Sequence, residues 1–190
     1  MASEPILFLK RWLKDPLSIG AIAPSGRVLA EAMAHLVPLE SKDPVIELGG
    51  GTGVITQALL DAGVAPDRVV VIERDEALHA LLSTRFPTLR VLRGDAAELT
   101  SLLRPLGIDR ASAIVSGLPL LAMREAVRDQ IVEESFALLT PGAPFIQFTY
   151  GFASPIPRDR LGLKGQVKRR ILNNLPPATV WLYHRPAKAA

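Results

Sequence analysis

The sequence predicts an α/β fold: an open, doubly wound, mostly parallel sheet that ends in an antiparallel strand pair. Three observations carry this. Short Val/Ile-rich runs alternate with helix-length stretches between residues 44 and 150. The runs are almost continuously apolar, as in strands covered on both faces. After Tyr150 the alternation stops, and two strand-like runs follow one another around "LPP".

In chain order, the first expected helix of this sheet runs from Ser25, as N-cap, to about Val37, where Pro38 stops it. The strands are "PVIEL" (44–48), "RVVVIE" (68–73), "RVLRGD" (90–95), "SAIVSG" (112–117) and "PFIQFTY" (144–150), each bounded by Gly, Pro or Asp. Helices fill the intervals at about 53–63, 75–86, 96–104 and 122–140. The last has an imperfect apolar face of Ala126, Ile131, Phe136 and Leu139, and "TPGAP" ends it. Strands that alternate with helices imply parallel pairing and right-handed crossovers. "GQVKRRILNN" and "ATVWLYHR" then form the antiparallel pair.

Composition narrows the function classes. The 190 residues suit one domain with a real core, and 48% apolar with 22% charged residues is a globular balance. Cysteine is absent, which excludes a disulfide framework and a Cys-ligated zinc site. His35, His79 and His184 are scattered, so no metal is expected. Charge is uneven: residues 151–190 carry eight Lys/Arg against one Asp, whereas residues 18–150 carry eleven Lys/Arg against sixteen Asp/Glu. A basic tail of this kind fits a partner with phosphates, either nucleic acid or an anionic membrane, or else forms a solvated face.

In such sheets ligands lie beyond the carboxyl ends of the strands. The loop after the first strand is "ELGGGTG", Glu47 to Gly53. Glycine allows close backbone approach, and the following helix offers free N–H groups to an anion. A G-x-G-x-x-G dinucleotide fingerprint fails here, because its third glycine would fall on Val54. Four glycines in five residues after a strand acid resemble motif I of the class I S-adenosylmethionine methyltransferases.

That resemblance implies a Rossmann-like domain and assigns the cofactor site residue by residue. Glu47, Gly49, Gly50, Gly51, Thr52 and Gly53 form its loop. Glu73, with Arg74 beside it, accepts the ribose hydroxyls; a carboxylate has two acceptor oxygens for a vicinal diol. Asp95 and Ala96 recognise adenine. Ser116, Gly117 and Leu118 adjoin the methyl group and the acceptor. The competing structural reading is a Rossmann-like domain with ordinary turn glycines and helix-capping acids.

Four further stretches, "DPLSIGAIAPS" (15–25), "SGLPLL" (116–121), "QFTYG" (147–151) and "NLPPATVW" (174–181), resemble the bacterial phospholipid N-methyltransferases across essentially the whole chain. The resemblance implies successive methylation of phosphatidylethanolamine and its mono- and dimethyl derivatives to phosphatidylcholine. The donor is S-adenosylmethionine, the product S-adenosylhomocysteine, with neither metal nor nucleic acid involved. It also implies a cytoplasmic protein attached to the inner face of the cytoplasmic membrane. Gly50 departs from the family, where proline is common, and is expected to loosen the empty loop.

Two alternatives stay open. The ribosomal-RNA adenine dimethyltransferases share the "GA-x-APS"-like approach, but their fourth-strand motif, typically N-L-P-[YF], grips a flipped base. Here Ser116-Gly117-Leu118-Pro119-Leu120 offers neither amide nor aromatic ring. A non-catalytic lipid-surface module would explain the basic tail but not the acids at 73 and 95.

For the acceptor, Tyr150 is the candidate to line the amine through its phenol and by cation–π contact with a methylated ammonium. Ser116 is the candidate to orient that amine, and no general base is assigned. Ser25 reads as a cap rather than a site residue, His184 as structural, and Met33 and Met123 as core.

The opening "SEPILFLKRWLKDP" (3–16) is too short in its apolar run for a secretory signal or a membrane span. On a helical wheel Phe8, Trp12, Leu9, Leu13, Ile6 and Leu17 fill one half, and Lys10, Lys14, Arg11 and Asp15 most of the other. Such a helix can pack on a sheet. With a bilayer-embedded substrate it lies in the headgroup plane instead. Residues 1–17 are therefore expected to be an amphipathic docking helix and residues 18–190 the methyltransferase domain. Phe8, Lys10, Arg11, Trp12 and Lys14, together with Arg158, Arg160, Lys164 and Lys168, are the expected anionic-lipid contacts.

Overall fold

The computed structural model describes residues 24–172 and 176–186. Five strands run parallel: β1 (Val45–Leu48), β2 (Val69–Glu73), β3 (Arg90–Arg93), β4 (Ala113–Ser116) and β5 (Phe145–Tyr150). β6 (Lys164–Ile171) and β7 (Ala178–His184) complete one seven-stranded sheet of order β3-β2-β1-β4-β5-β7-β6. β7 is antiparallel to both of its neighbours. The predicted α/β, doubly wound sheet with its antiparallel pair is what forms.

The order of the last two strands follows from their side chains. β7 (ATVWLYH) is buried from Ala178 to Tyr183, whereas β6 (KGQVKRRI) is exposed except at Gly165 and Ile171. The apolar strand therefore takes the inner position beside β5, and the basic strand forms the edge. Charged side chains on that edge discourage further strand pairing.

The helices are α1 (Pro24–Ala34), α2 (Val54–Asp61), α3 (Glu76–Arg85), α4 (Leu99–Leu103) and α5 (Glu125–Leu138). One core joins α1, α2 and α3 to the sheet through Leu29, Met33, Leu59, Leu82, Val71 and Val115. The other joins α4 and α5 through Leu99, Val132, Phe136, Ile72, Ile114 and Phe145. Every residue of β1, β2 and β4 is buried. Each large aliphatic side chain hidden in this way contributes about 1.5–3 kcal/mol.

Local chemistry sets the boundaries. Asp75 caps α3 by accepting from the Leu78 amide at 3.0 Å. α1 starts on Pro24, whose fixed φ and missing N–H suit a first helical position, so Ser25 lies inside the first turn rather than capping it. The predicted helix at 96–104 divides into a 3-10 turn (Ala96–Glu98) and α4. On α5 the buried face is Ile131, Val132, Ser135, Phe136 and Leu138; Ala126 is exposed, and Leu139 lies just past the end. The expected docking helix, with Phe8, Lys10, Arg11, Trp12 and Lys14, lies outside the described residues, as does the start of "NLPPATVW". Among the described residues no helix is long and apolar enough to cross a membrane.

Candidate active site

Sequence order reverses between β1 and β4, which pair in register from Val45–Ala113 to Leu48–Ser116. Beyond their carboxyl ends two loops meet face to face. The Gly117 amide donates to the Leu48 carbonyl at 2.8 Å, and a Cβ on Gly117 would stand 2.9 Å from the Gly49 carbonyl oxygen. Only glycine permits that backbone-to-backbone approach.

The glycine loop is held by Glu73. The Gly51 amide donates to Glu73 Oε2 and the Asp75 amide to Oε1, both at 2.9 Å. Glu73 is thus a buried carboxylate at the end of β2, with both oxygens fixed by backbone donors. Gly51 has φ 55°, in the left-handed region, and a Cβ there would meet only open space. The backbone is shaped around a gap at this point. Gly50 has a different reason to be glycine. It is buried, and a Cβ would come within 2.4 Å of Val71 Cγ1 and 2.8 Å of Leu82 Cδ1. The position thus has little space for a larger residue unless Val71 and Leu82 shift. The Thr52 carbonyl accepts from Arg85 Nη1 at 2.8 Å, and Gly53 adopts φ 83° ahead of α2.

Glu47 is wholly buried on β1. Its Oε2 accepts from Thr56 Oγ1 at 2.6 Å, while Oε1 has no partner among the described residues. Desolvation, with the nearby Glu73 charge adding to it, pushes this carboxyl up to about 8, although the Thr56 hydrogen bond pulls the other way. At β3 the Asp95 side chain caps the 3-10 turn through the Ala97 amide at 3.0 Å and pairs with Arg74 at 3.3 Å. Ala96 beside it is buried.

The next cleft lies at the ends of β4 and β5. Leu118, Pro119, Leu120 and Leu121 line it from one side, Phe148, Thr149 and Tyr150 from the other, with Pro155 beside them. It is a shallow, partly open cleft with no carboxylate or imidazole among these residues. Phe148 and Tyr150 meet edge to face at 5.3 Å. Burial pushes the Tyr150 phenol above its ordinary value, so it stays protonated near neutrality and is no base.

Ser116 does not line this cleft. It is fully buried, and its Oγ accepts from the Leu118 amide at 3.3 Å. Its observed contact is with the loop that carries Leu118, not with the cleft surface. Gln147, opposite Ser116 in the β4–β5 register, was not singled out by sequence reasoning. Its Nε2 donates to the Leu118 carbonyl at 2.9 Å and the Phe148 carbonyl at 2.7 Å, tying both walls of the cleft together. Thr56 was missed as well. Each is a hydrogen-bonding side chain among mainly apolar neighbours that the fold buries completely.

The expected lipid cations are scattered. Arg160 is paired with Glu125 and Asp129. Arg158 donates to the Gly165 carbonyl at 3.2 Å and lies over Trp181. Lys164 pairs with His184 at the N-terminal end of β6, the sheet edge opposite the cleft. Lys168 is exposed mid-strand at a bulge. The structure thus commits Arg158 and Arg160 internally and places Lys164 far from the site.

This arrangement suits S-adenosylmethionine. The left-handed Gly51 turn leaves room for a ligand, the buried Glu47 carboxyl keeps one oxygen unpartnered among the described residues, and Glu73 and Asp95 stand at successive strand ends. A family model described as ribosomal RNA adenine dimethylase matches residues 22–119, which contain this whole constellation. The chain belongs to the class I S-adenosylmethionine-dependent methyltransferases. Its methyl donor is S-adenosylmethionine, which supplies an activated methyl group on a cationic sulfonium.

The relatives divide. An ornithine lipid N-methyltransferase of Singulisphaera acidiphila is 36% identical over 147 residues, covering 75% of this chain and 76% of that protein. A probable ribosomal RNA small subunit methyltransferase A of Natronomonas pharaonis is 42% identical over 79 residues, covering 38% of this chain and 28% of that protein. A glycopeptide N-methyltransferase, MtfA, solved with S-adenosylhomocysteine, superimposes with TM-score 0.64 at 14% identity, covering 88% and 89% of the two chains. At that identity the likeness is one of fold.

For this methyltransferase Gly117→Ala is expected to lower stability by about 2–3 kcal/mol, since the new methyl meets backbone on the β1 side. Its affinity for S-adenosylhomocysteine should fall too. Thermal denaturation and calorimetric titration check both, and an unchanged melting temperature would contradict the close approach.

Proposed function

We propose that this methyltransferase N-methylates the amine of a lipid headgroup at a membrane surface. Phosphatidylethanolamine and its mono- and dimethyl derivatives are the acceptors, and phosphatidylcholine is the end product. The observation that carries the reading is the likeness to the ornithine lipid enzyme. That match is longer than residues 22–119, so it extends beyond the cofactor half. The ribosomal relative instead matches a short part of its own length. Ornithine lipid, also an amine on a lipid anchor, belongs in the substrate panel.

The cleft supports the same reading. Its lining is apolar apart from Thr149 and Tyr150. An amine entering it loses hydration, which disfavours its charged form, and only the neutral amine can attack a methyl group. No carboxylate in the lining opposes that proton loss. Positioning by the Leu118–Leu121 wall and the Tyr150 phenol then brings the nitrogen in line, and rate follows from orientation. The enzyme works at the inner face of the cytoplasmic membrane in this account.

The second reading is ribosomal-RNA adenine dimethylation, favoured by the matching family model. Incubation with phosphatidylethanolamine, its mono- and dimethyl derivatives and ornithine lipid, followed by mass spectrometry of the headgroups, tests the proposal. Absence of any methylated amine would overturn it. Tyr150→Phe is expected to cut turnover about tenfold, the worth of one hydrogen bond of about 1.4 kcal/mol. Affinity for S-adenosylhomocysteine should stay within about twofold, since Phe keeps the ring packed on Phe148. Equal turnover on all three ethanolamine lipids would remove Tyr150 from the site.

A further inference from the structure

Tyr150, Ala178 and Ile171 lie in one row across β5, β7 and β6. β6 runs parallel to β5, because β7 is antiparallel to both. Phe152 and Leu172, which follow Tyr150 and Ile171, therefore emerge at the same edge of the sheet, beside the acceptor cleft. They are the most exposed large apolar side chains among the described residues, at 62% and 65%. The Arg170 guanidinium sits 5.7 Å from the centre of the Phe152 ring. Arg169 and Lys168 are exposed further along β6.

We infer that this rim, Phe152 and Leu172 backed by Arg170, Arg169 and Lys168, is a second membrane-contacting surface that seats the cleft mouth on an anionic bilayer. It rests on the lipid reading above and replaces Arg158, Arg160 and Lys164 as the folded domain's lipid contacts. An aromatic and an aliphatic side chain project together where the acceptor must enter, with uncompensated cations behind them. Such a mixture is at home at the level of the headgroups, with the apolar groups below and guanidinium groups among the phosphates. Duplex or folded RNA would find the cations but would have no use for an exposed leucine. In a protein that never met a surface, both apolar side chains would stand in water without compensation.

The chain has no cysteine, so single-site labelling is clean. Phe152→Cys, Leu172→Cys and Leu106→Cys would each carry an environment-sensitive fluorophore. Leu106 is 46% exposed in the turn leading into β4, at the opposite edge, and serves as control. With vesicles of phosphatidylethanolamine and phosphatidylglycerol, labels at 152 and 172 should shift blue and be quenched by brominated lipid, while the label at 106 should not respond. The Phe152→Ser/Leu172→Ser and Arg169→Glu/Arg170→Glu pairs should each lower vesicle affinity about tenfold. They should leave S-adenosylhomocysteine affinity and methyl transfer to detergent-dispersed acceptor within about twofold, since none of these side chains enters the cleft lining.

Labels at 152 and 172 that stay in water on vesicle-bound protein would overturn the surface, as would vesicle affinity unchanged in both pairs. A response to ribosomal RNA in place of vesicles would overturn it as well. Vesicle docking without methylated aminolipid would defeat the substrate reading and support the surface. Methylation with unresponsive labels would do the reverse.

Discussion

Glu73→Ala is expected to weaken binding of S-adenosylhomocysteine by at least about 100-fold, roughly 3 kcal/mol, as measured by calorimetric titration. Two losses add. In the proposed cofactor pose the carboxylate would accept the ribose hydroxyls, and in the structure it holds the Gly51 and Asp75 amides. Without it, the half-buried Gly51 amide and the amide of exposed Asp75 lose their partner, at a cost of about 1 kcal/mol each because water can reach them. The variant should therefore melt lower as well. Glu73→Gln separates the two effects. Its amide keeps one acceptor oxygen but turns an N–H toward the second backbone donor, so loop and ligand are both impaired, with less loss of stability than in alanine. Affinity unchanged in Glu73→Ala would sink the ribose assignment.

Glu47→Gln should raise stability above pH 8. The carboxyl is pushed from about 4.5 in the unfolded chain to about 8 in the fold, chiefly by desolvation. Between those values the native state holds a proton that the unfolded state has lost. Stability therefore falls as pH rises through this window and levels off above it. Glutamine imitates the neutral form at every pH, so its stability profile should lack that slope and lie on the order of 3 kcal/mol above wild type at pH 9. Chemical denaturation across pH 5 to 9 measures both. Parallel profiles would show that the carboxyl is not held neutral. The same substitution should weaken the cofactor, whose cationic groups favour an ionised Glu47. Wild-type affinity for S-adenosylmethionine should thus increase with pH up to about 8 and the variant's should not.

Much of this was legible because periodicity and strand ends are local properties. Five apolar runs marked β1 to β5, and the residues after them located Glu47, Glu73, Asp95 and Gly117 without any knowledge of packing. What escaped depended on how elements meet. Thr56 matters only because its helix turn faces Glu47 on β1, and Gln147 only because β5 pairs with β4 opposite Ser116. The close neighbours of Gly50, Val71 and Leu82, come from β2 and α3 and could not be read from the loop itself. The basic tail was legible as charge but not as direction. Lys164 and Arg170 are six residues apart on one strand, yet one lies beside His184 at the far edge and the other beside Phe152 at the cleft. Arg158 and Arg160 could not be discounted until their partners were known.

On the proposed reading the acceptor is a lipid amine. That reading is tested most directly in a single reaction holding the protein, S-adenosylmethionine tritiated in its methyl group, phosphatidylethanolamine–phosphatidylglycerol vesicles with ornithine lipid, and small ribosomal subunits. Chloroform extraction then separates the two acceptors. The account predicts label in the organic phase, on headgroup nitrogen. Label confined to ribosomal RNA would contradict it.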